Sequence, residues 1–155
     1  MNTTKNLSIE LATKMYNGND ELLKAFALEN YPELGKDIIE RVKTFEDACI
    51  ILGIEPDSEF FTSEVLQPNE KAKRKIETII KALNENWLPN WDDSNERKYY
   101  PWFNMSSSGS GFSCNVYGYV YSVSSVGSRL VLKTKDLAVY AAKQFTEIYK
   151  EMFTL

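Results

Sequence analysis

"FSCNVYGYVYSV", residues 112–123, alternates its side chains with a period of two, whereas the chain up to about residue 86 repeats with a helical period. That switch decides the fold class. Extended, the stretch puts Phe112, Cys114, Val116, Gly118 and Val120 on one face and Ser113, Asn115, Tyr117, Tyr119, Tyr121 and Val123 on the other. Before it, "SSSGSG" (106–111) reads as a turn or loop, and "ERKYYPWFNM" (96–105) as a strand in which Pro101 requires an edge or a break. After it, "SSVGS" turns the chain into "RLVLK" (129–133), a third strand. Thr134 then caps a final helix from about Lys135 to Phe153, with Asp136 in its first turn and an apolar stripe through Leu137, Ala141, Phe145, Ile148 and Met152. Strands need a covered face, so the expected arrangement is a three-stranded antiparallel β-meander packed on this long C-terminal helix.

The first half supplies the helices. Ile9, Ala12, Met15 and Tyr16 share a helical face closed by Asn17-Gly18, and Asn19 or Asp20 caps a second helix carrying Leu22, Leu23, Phe26 and Ala27 up to Tyr31-Pro32. Thr44 with Asp47 forms a capping-box pattern ahead of Phe45, Ala48, Cys49 and Leu52, and Gly53 ends that helix. After Pro68, a longer helix turns Ile76, Ile79, Ile80 and Leu83 inward and Lys71, Lys73, Arg74 and Lys75 outward as a solvated basic face. The fold class is therefore α+β in a single domain, residues 1–155, with residues 1–86 mainly helical and 87–155 the meander plus the C-terminal helix.

Composition narrows the function classes. With 155 residues, 43% hydrophobic and 26% charged, the chain is an ordinary globular one. The longest apolar run, Ala48 to Ile54, is far too short to span a bilayer, and the first residues lack the apolar core of a signal peptide, so no membrane association and a cytoplasmic location are expected. The net charge of −4 divides into −8 over residues 1–70 and +4 over residues 71–155, without the strongly basic patch that binds phosphate backbones. No histidine is present, which removes Ser-His and Cys-His nucleophile pairs and H-E-x-x-H metal sites. Cys49 and Cys114 read as small buried apolar residues.

The candidate chemistry is sparse. Asn90, Asp92, Ser94 and Glu96 alternate like the opening ligands of a calcium loop, but Asn95 stands where that loop needs Gly and Pro101 where it needs Glu. Asx-turns are the simpler reading, and no metal is expected. Ser108, Gly109, Ser110 and Gly111 offer backbone amides to an anion, yet lack the third Gly or the G-K-[ST] of a phosphate loop. S-x-x-K and G-x-S-x-G are absent, and no cofactor is implied. Asp93 and Glu96 near the tryptophans leave a small hydrolase without histidine as a third-ranked reading.

What remains is aromatic. "NENWLPNWDDSNERKYYPWF" (84–103) holds all three tryptophans and reads as a plug between the helical half and the sheet. The expected ligand or partner surface is Trp91, Tyr99, Tyr100, Trp102, Tyr117, Tyr119, Tyr121 and Arg129, with no catalytic residue among them. A non-catalytic binding module, with another protein as partner, is the preferred function. A nucleic-acid-binding accessory protein stacking bases on the tyrosines is the alternative.

"RVKTFEDACIILGI", "KALNENWLPNWDDSNERKYYPWFNMS" and "VGSRLVLKTKDLAVYAAKQFTEIYKEMFTL" resemble segments of a family of short uncharacterised proteins from Bacteroides-type bacteria, their phages and mobile elements. The W-x-P-x-W, Y-x-P-W-F and G-S-R-L…K-Q-F blocks carry the resemblance, with "SRLVLKT" where the family pattern places a cysteine. It implies an accessory role in a bacterial or phage cytoplasm and assigns no functional residue.

Overall fold

The computed structural model describes residues 7–85, 87–106 and 112–154. The capping side chains of α1, α2 and α4 find their donors. Ser8 accepts the Leu11 N–H at the start of α1 (Ile9–Asn17), and Asp20 accepts the Leu22 and Leu23 N–H groups of α2 (Glu21–Asn30). After a 3-10 turn over Pro32–Gly35 and the single turn α3 (Ile38–Arg41), Thr44 and Asp47 close the capping box of α4 (Phe45–Leu52). Gly53 ends α4 with a left-handed φ of 64°, which favours glycine. Gly18, by contrast, ends α1 in an extended conformation. The turn α5 (Glu59–Thr62) leads to α6 (Pro68–Leu83), whose first N–H is lost to Pro68 at no cost.

α6 is the axis of the helical half. Ile76, Ile79, Ile80 and Leu83 are buried along it, and α4, α5 and α8 (Thr146–Phe153) lie against it. The main core draws on both halves of the chain, from Ile38, Val42, Phe45 and Phe61 to Leu132, Leu137, Phe145 and Tyr149. α1 and α2 close a smaller cluster around Ala12, Ala27 and Leu34. Of the apolar residues expected inward on α2, only Ala27 is buried; Leu22, Leu23 and Phe26 are exposed.

The strands depart from the expected meander. β1 (Lys98–Asn104) pairs antiparallel with β2 (Ser113–Val120), but the segment of the predicted third strand forms an isolated antiparallel bridge, Tyr99 with Leu132, on the other side of β1. β1 is therefore flanked on both sides, and β2 has only one partner. Pro101 is tolerated because it faces Tyr117 one step from the Tyr99–Tyr119 pair, where β1's main-chain groups point away from β2.

A second correction concerns Cys114 and Val116, which do not share a face. Trp102 pairs with Val116 and Phe103 with Cys114, so Asn115 is a bulge residue that moves Cys114 to the opposite face from Val116. Tyr99, Phe103 and Phe112 pack on the core, and α7 (Lys135–Gln144) lies against both strands with Ala138, Ala141 and Ala142 buried. The covered face is the one shared by Tyr99, Phe103 and Cys114, and the face of Tyr100, Trp102, Val116, Gly118 and Val120 is turned outward.

The expected long C-terminal helix is two helices. Phe145 leaves helical geometry (φ −114°, ψ 28°), and the Thr146 hydroxyl donates to the Ala142 and Lys143 carbonyls at 2.6 and 3.1 Å, a back-bonding that bends helices. α7 thus serves the sheet while α8 serves α6. Two side chains of α7 tie it to the α3–α4 junction: the Tyr140 hydroxyl donates to the Val42 carbonyl (2.6 Å) and the Gln144 amide to the Lys43 carbonyl (2.8 Å).

Tyr149 of α8 rests against Phe103, ring centroids 4.7 Å apart, and its hydroxyl is buried with no partner among the described residues. Burial also holds the phenol protonated well above its ordinary range. Tyr149→Phe keeps the ring contacts and removes the unpaired group, so it is expected to raise stability by about 1 kcal/mol in urea unfolding. A loss of stability would show that the hydroxyl has a partner.

Candidate functional site

The three tryptophans of the aromatic segment do not converge. Trp87 is half-buried and, with Leu88 and Pro89, lines a cleft of about 590 Å³ against α6, together with Ile54, Phe60 and Ile80. It stands between α6 and the Ser128–Arg129 segment, as a plug between the two halves would, with part of its surface exposed. Arg129 stands at this cleft and not on the tyrosine surface, 3.6 Å from the Glu77 carboxylate and largely exposed.

Trp91 lies elsewhere, beneath the start of β1. Lys98 is fully buried, and its ammonium donates to the Glu96 carbonyl (2.9 Å) and the Asp93 carbonyl (3.4 Å). It also pairs with the Glu96 carboxylate at 3.1 Å and sits 5.3 Å from the centre of the Trp91 ring. The Trp91 indole N–H is buried without a partner among the described residues. Around this lysine the oxygen-rich loop is spent on backbone. Asn90 and Asp93 side chains accept the Asp92 and Asn95 N–H groups, and Glu96 accepts the Asn90 N–H. The Asp93–Glu96 pair suggested for acid/base work is thus occupied in holding the loop.

The remaining six predicted residues do come together on the hairpin. On the covered side, the Tyr99 ring touches those of Tyr117 and Tyr119 (centroids 5.7 and 6.1 Å), and Tyr119 continues to Tyr121 (5.7 Å). Arg97 closes the row. Its guanidinium lies 4.9 Å from the Tyr119 ring centre and donates from Nε to the Tyr121 hydroxyl at 3.1 Å, and hydrogen bonds to Tyr121 and Tyr99 hold it charged beyond its ordinary value. Tyr117 and Tyr119, on the outer strand, remain 39% and 46% exposed. On the outer side, the Tyr100 ring folds over Gly118, where a Cβ would stand 2.5 Å from it, and leans toward Trp102. Trp102 and Val116, directly opposite each other, are 58% and 56% exposed, and Met105 follows them into solvent. The hairpin therefore shows aromatic or apolar side chains on both faces.

The sequence reading did not single out Arg97, Val116 or Met105; Arg97 was legible only as a cation next to the strand. Neither cysteine is activated. Burial pushes Cys49 up to about 11, aided by Glu46 and Glu55, and burial also raises Cys114. The anion loop proposed over Ser108, Gly109, Ser110 and Gly111 lies outside the described residues. Among the described residues no helix is long and apolar enough to cross a membrane, and no group of three or more Cys, Asp or Glu side chains is placed to hold a metal ion.

Comparison of the chain with protein-family models, with curated proteins and with solved structures finds no match.

Proposed function

We propose that this chain is a non-catalytic binding module that recognises another protein through its hairpin, an accessory protein of the bacterial or phage kind that the sequence resemblance implies. One observation carries the reading. From Tyr99 to Ser128 the chain has no Asp, Glu, Lys or Arg, although charged residues make up 26% of the whole, and Tyr, Ser, Gly and Asn fill two thirds of the stretch. Protein-recognition loops have this composition: Tyr offers a large rigid contact at low entropic cost, and Ser, Gly and Asn adapt their hydrogen bonds. Trp102, Val116, Tyr117 and Tyr119 add the exposed aromatic and apolar surface of which interface centres are made. The absence of cations along the stretch weighs against the nucleic-acid alternative, which needs them for phosphates.

The test is photo-crosslinking in cells that encode the protein, with a photoreactive residue in place of Trp102 and, as control, of Lys24. The expected result is one discrete protein adduct from position 102, absent from position 24 and lost when Tyr117 and Tyr119 are both changed to Ser. Adducts that disappear on nuclease treatment would replace this reading by the nucleic-acid one. The same adducts from both positions would overturn it.

A further inference from the structure

β2 has β1 on one side, and from Val116 to Val120 no described residue forms a ladder with its other edge. The direction of its main-chain groups follows from the bridge at Tyr99. Tyr99 donates to the Leu132 carbonyl and accepts from the Leu132 N–H (2.9 and 2.7 Å), so its groups point away from β2. Its partner Tyr119 therefore sits in a non-hydrogen-bonded pair with its own N–H and C=O turned outward, and so does Tyr117 opposite Pro101. Two donors and two acceptors line this edge. Edge strands are ordinarily guarded by a charge or a proline, and from Val116 to Val120 there is neither.

We infer that this edge pairs antiparallel with the same edge of a second copy of the chain, about a two-fold axis at Gly118. In that register Tyr117 exchanges both main-chain hydrogen bonds with the partner subunit's Tyr119, and symmetry repeats the exchange. On the outer face Val116 meets the partner subunit's Val120, an apolar β-branched pair, and Gly118 meets its own copy on the axis. Centring the pairing one residue earlier draws in the bulge at Asn115. Centring it one residue later runs past the end of β2 at Val120 into a bend. Only the Gly118 register uses the whole regular part of the strand.

The strand itself favours a second copy as the occupant, because Val116-Tyr117-Gly118-Tyr119-Val120 reads the same in both directions and so matches its own antiparallel image about Gly118. Two copies of net charge −4 repel, and the charge-free hairpin is the surface on which they approach without juxtaposing like charges. Joined this way, the two hairpins make one four-stranded sheet. The pairing shares Val116, Tyr117 and Tyr119 with the surface proposed for a heterologous partner but leaves Trp102 out, so position 102 reports that partner and the mass of the chain alone reports the pairing.

Sedimentation equilibrium from about 1 to about 500 μM tests it, a range that detects micromolar association. The expected result is a mass rising from 17.8 kDa toward twice that value. Tyr117→Pro and Tyr117→Ala both lose the ring contact with Tyr99, but only proline also removes an outward N–H that the β1–β2 ladder does not use, so dimerisation should be at least about tenfold weaker in the proline variant than in the alanine one, each lost bond counting twice by symmetry. Register is read by mixing Val116→Cys and Val120→Cys chains, both carrying Cys114→Ala, under oxidation. The non-hydrogen-bonded pair has the Cα spacing a disulfide accepts, so the mixture should cross-link and either chain alone should not. A wild-type mass that stays monomeric throughout, a Tyr117→Pro dimer no weaker than the Tyr117→Ala one, or cross-linking of Val116→Cys alone would each overturn the inference. Should Tyr117→Pro fail to fold, the cysteine mixture decides.

Discussion

Lys98→Met is expected to lower stability by about 3–5 kcal/mol, seen as a fall in urea midpoint at constant slope. Methionine matches the length of the lysine stem, so the effect isolates the charge. What is lost is the ammonium that gathers the Asp93 and Glu96 carbonyls and the Glu96 carboxylate beneath β1, leaving those oxygens without their donor. The cost is large because Lys98 has no exposed surface, so water cannot enter to replace it. Glu96→Gln, on a partly exposed residue that keeps an acceptor for the Asn90 N–H, should cost far less. A Lys98→Met loss below about 1 kcal/mol would mean that the loop is held by other contacts.

Asn84→Ala has the second largest expected effect, about 3 kcal/mol and a fall of roughly 6–12 °C in thermal midpoint. Asn84 follows α6 and is buried; its amide donates to the Val131 carbonyl (2.8 Å) and its oxygen accepts the Lys133 N–H (3.0 Å). Those two main-chain groups flank Leu132, the residue bridged to Tyr99, and Ala at 84 leaves both unpaired next to the core. Asn84→Asp keeps the acceptor but sets a carboxylate oxygen against the Val131 carbonyl, so it should be at least as destabilising. If Asn84→Ala melts like the wild type, the Leu132 bridge does not depend on this clamp.

The same two residues show where sequence reading stops. Thr44 with Asp47, Gly53 and Thr134 were legible because capping acts within one turn of chain, and each was found in place. The α+β class was legible from the change of period at the hairpin. Faces were not, because one bulge residue, Asn115, exchanges the sides of Cys114 and Val116, and no local preference marks it. The position of the third segment was not legible either, since strands adjacent in sequence usually neighbour one another. Here Asn84, 47 residues upstream of Val131, draws the segment to the far side of β1. Of the predicted surface, strand alternation placed only Tyr117, Tyr119 and Tyr121 together; Tyr99, Tyr100 and Trp102 came from the aromatic segment and divide between the two faces, while Trp91 of that segment and Arg129 of the expected third strand lie apart from the hairpin surface.

The contacts of Tyr140 and Gln144 with Val42 and Lys43 bear on the order in which the chain folds. They join residues 98 and 101 positions apart, and they donate to carbonyls at the junction of α3 and α4 to which no other described group donates. A nascent chain that has exposed only the helical half therefore holds two open acceptors and an incomplete core, since Leu137, Phe145 and Tyr149 have not yet been made. The packing of α4 and α6 is therefore complete only once α7 and α8 have joined them.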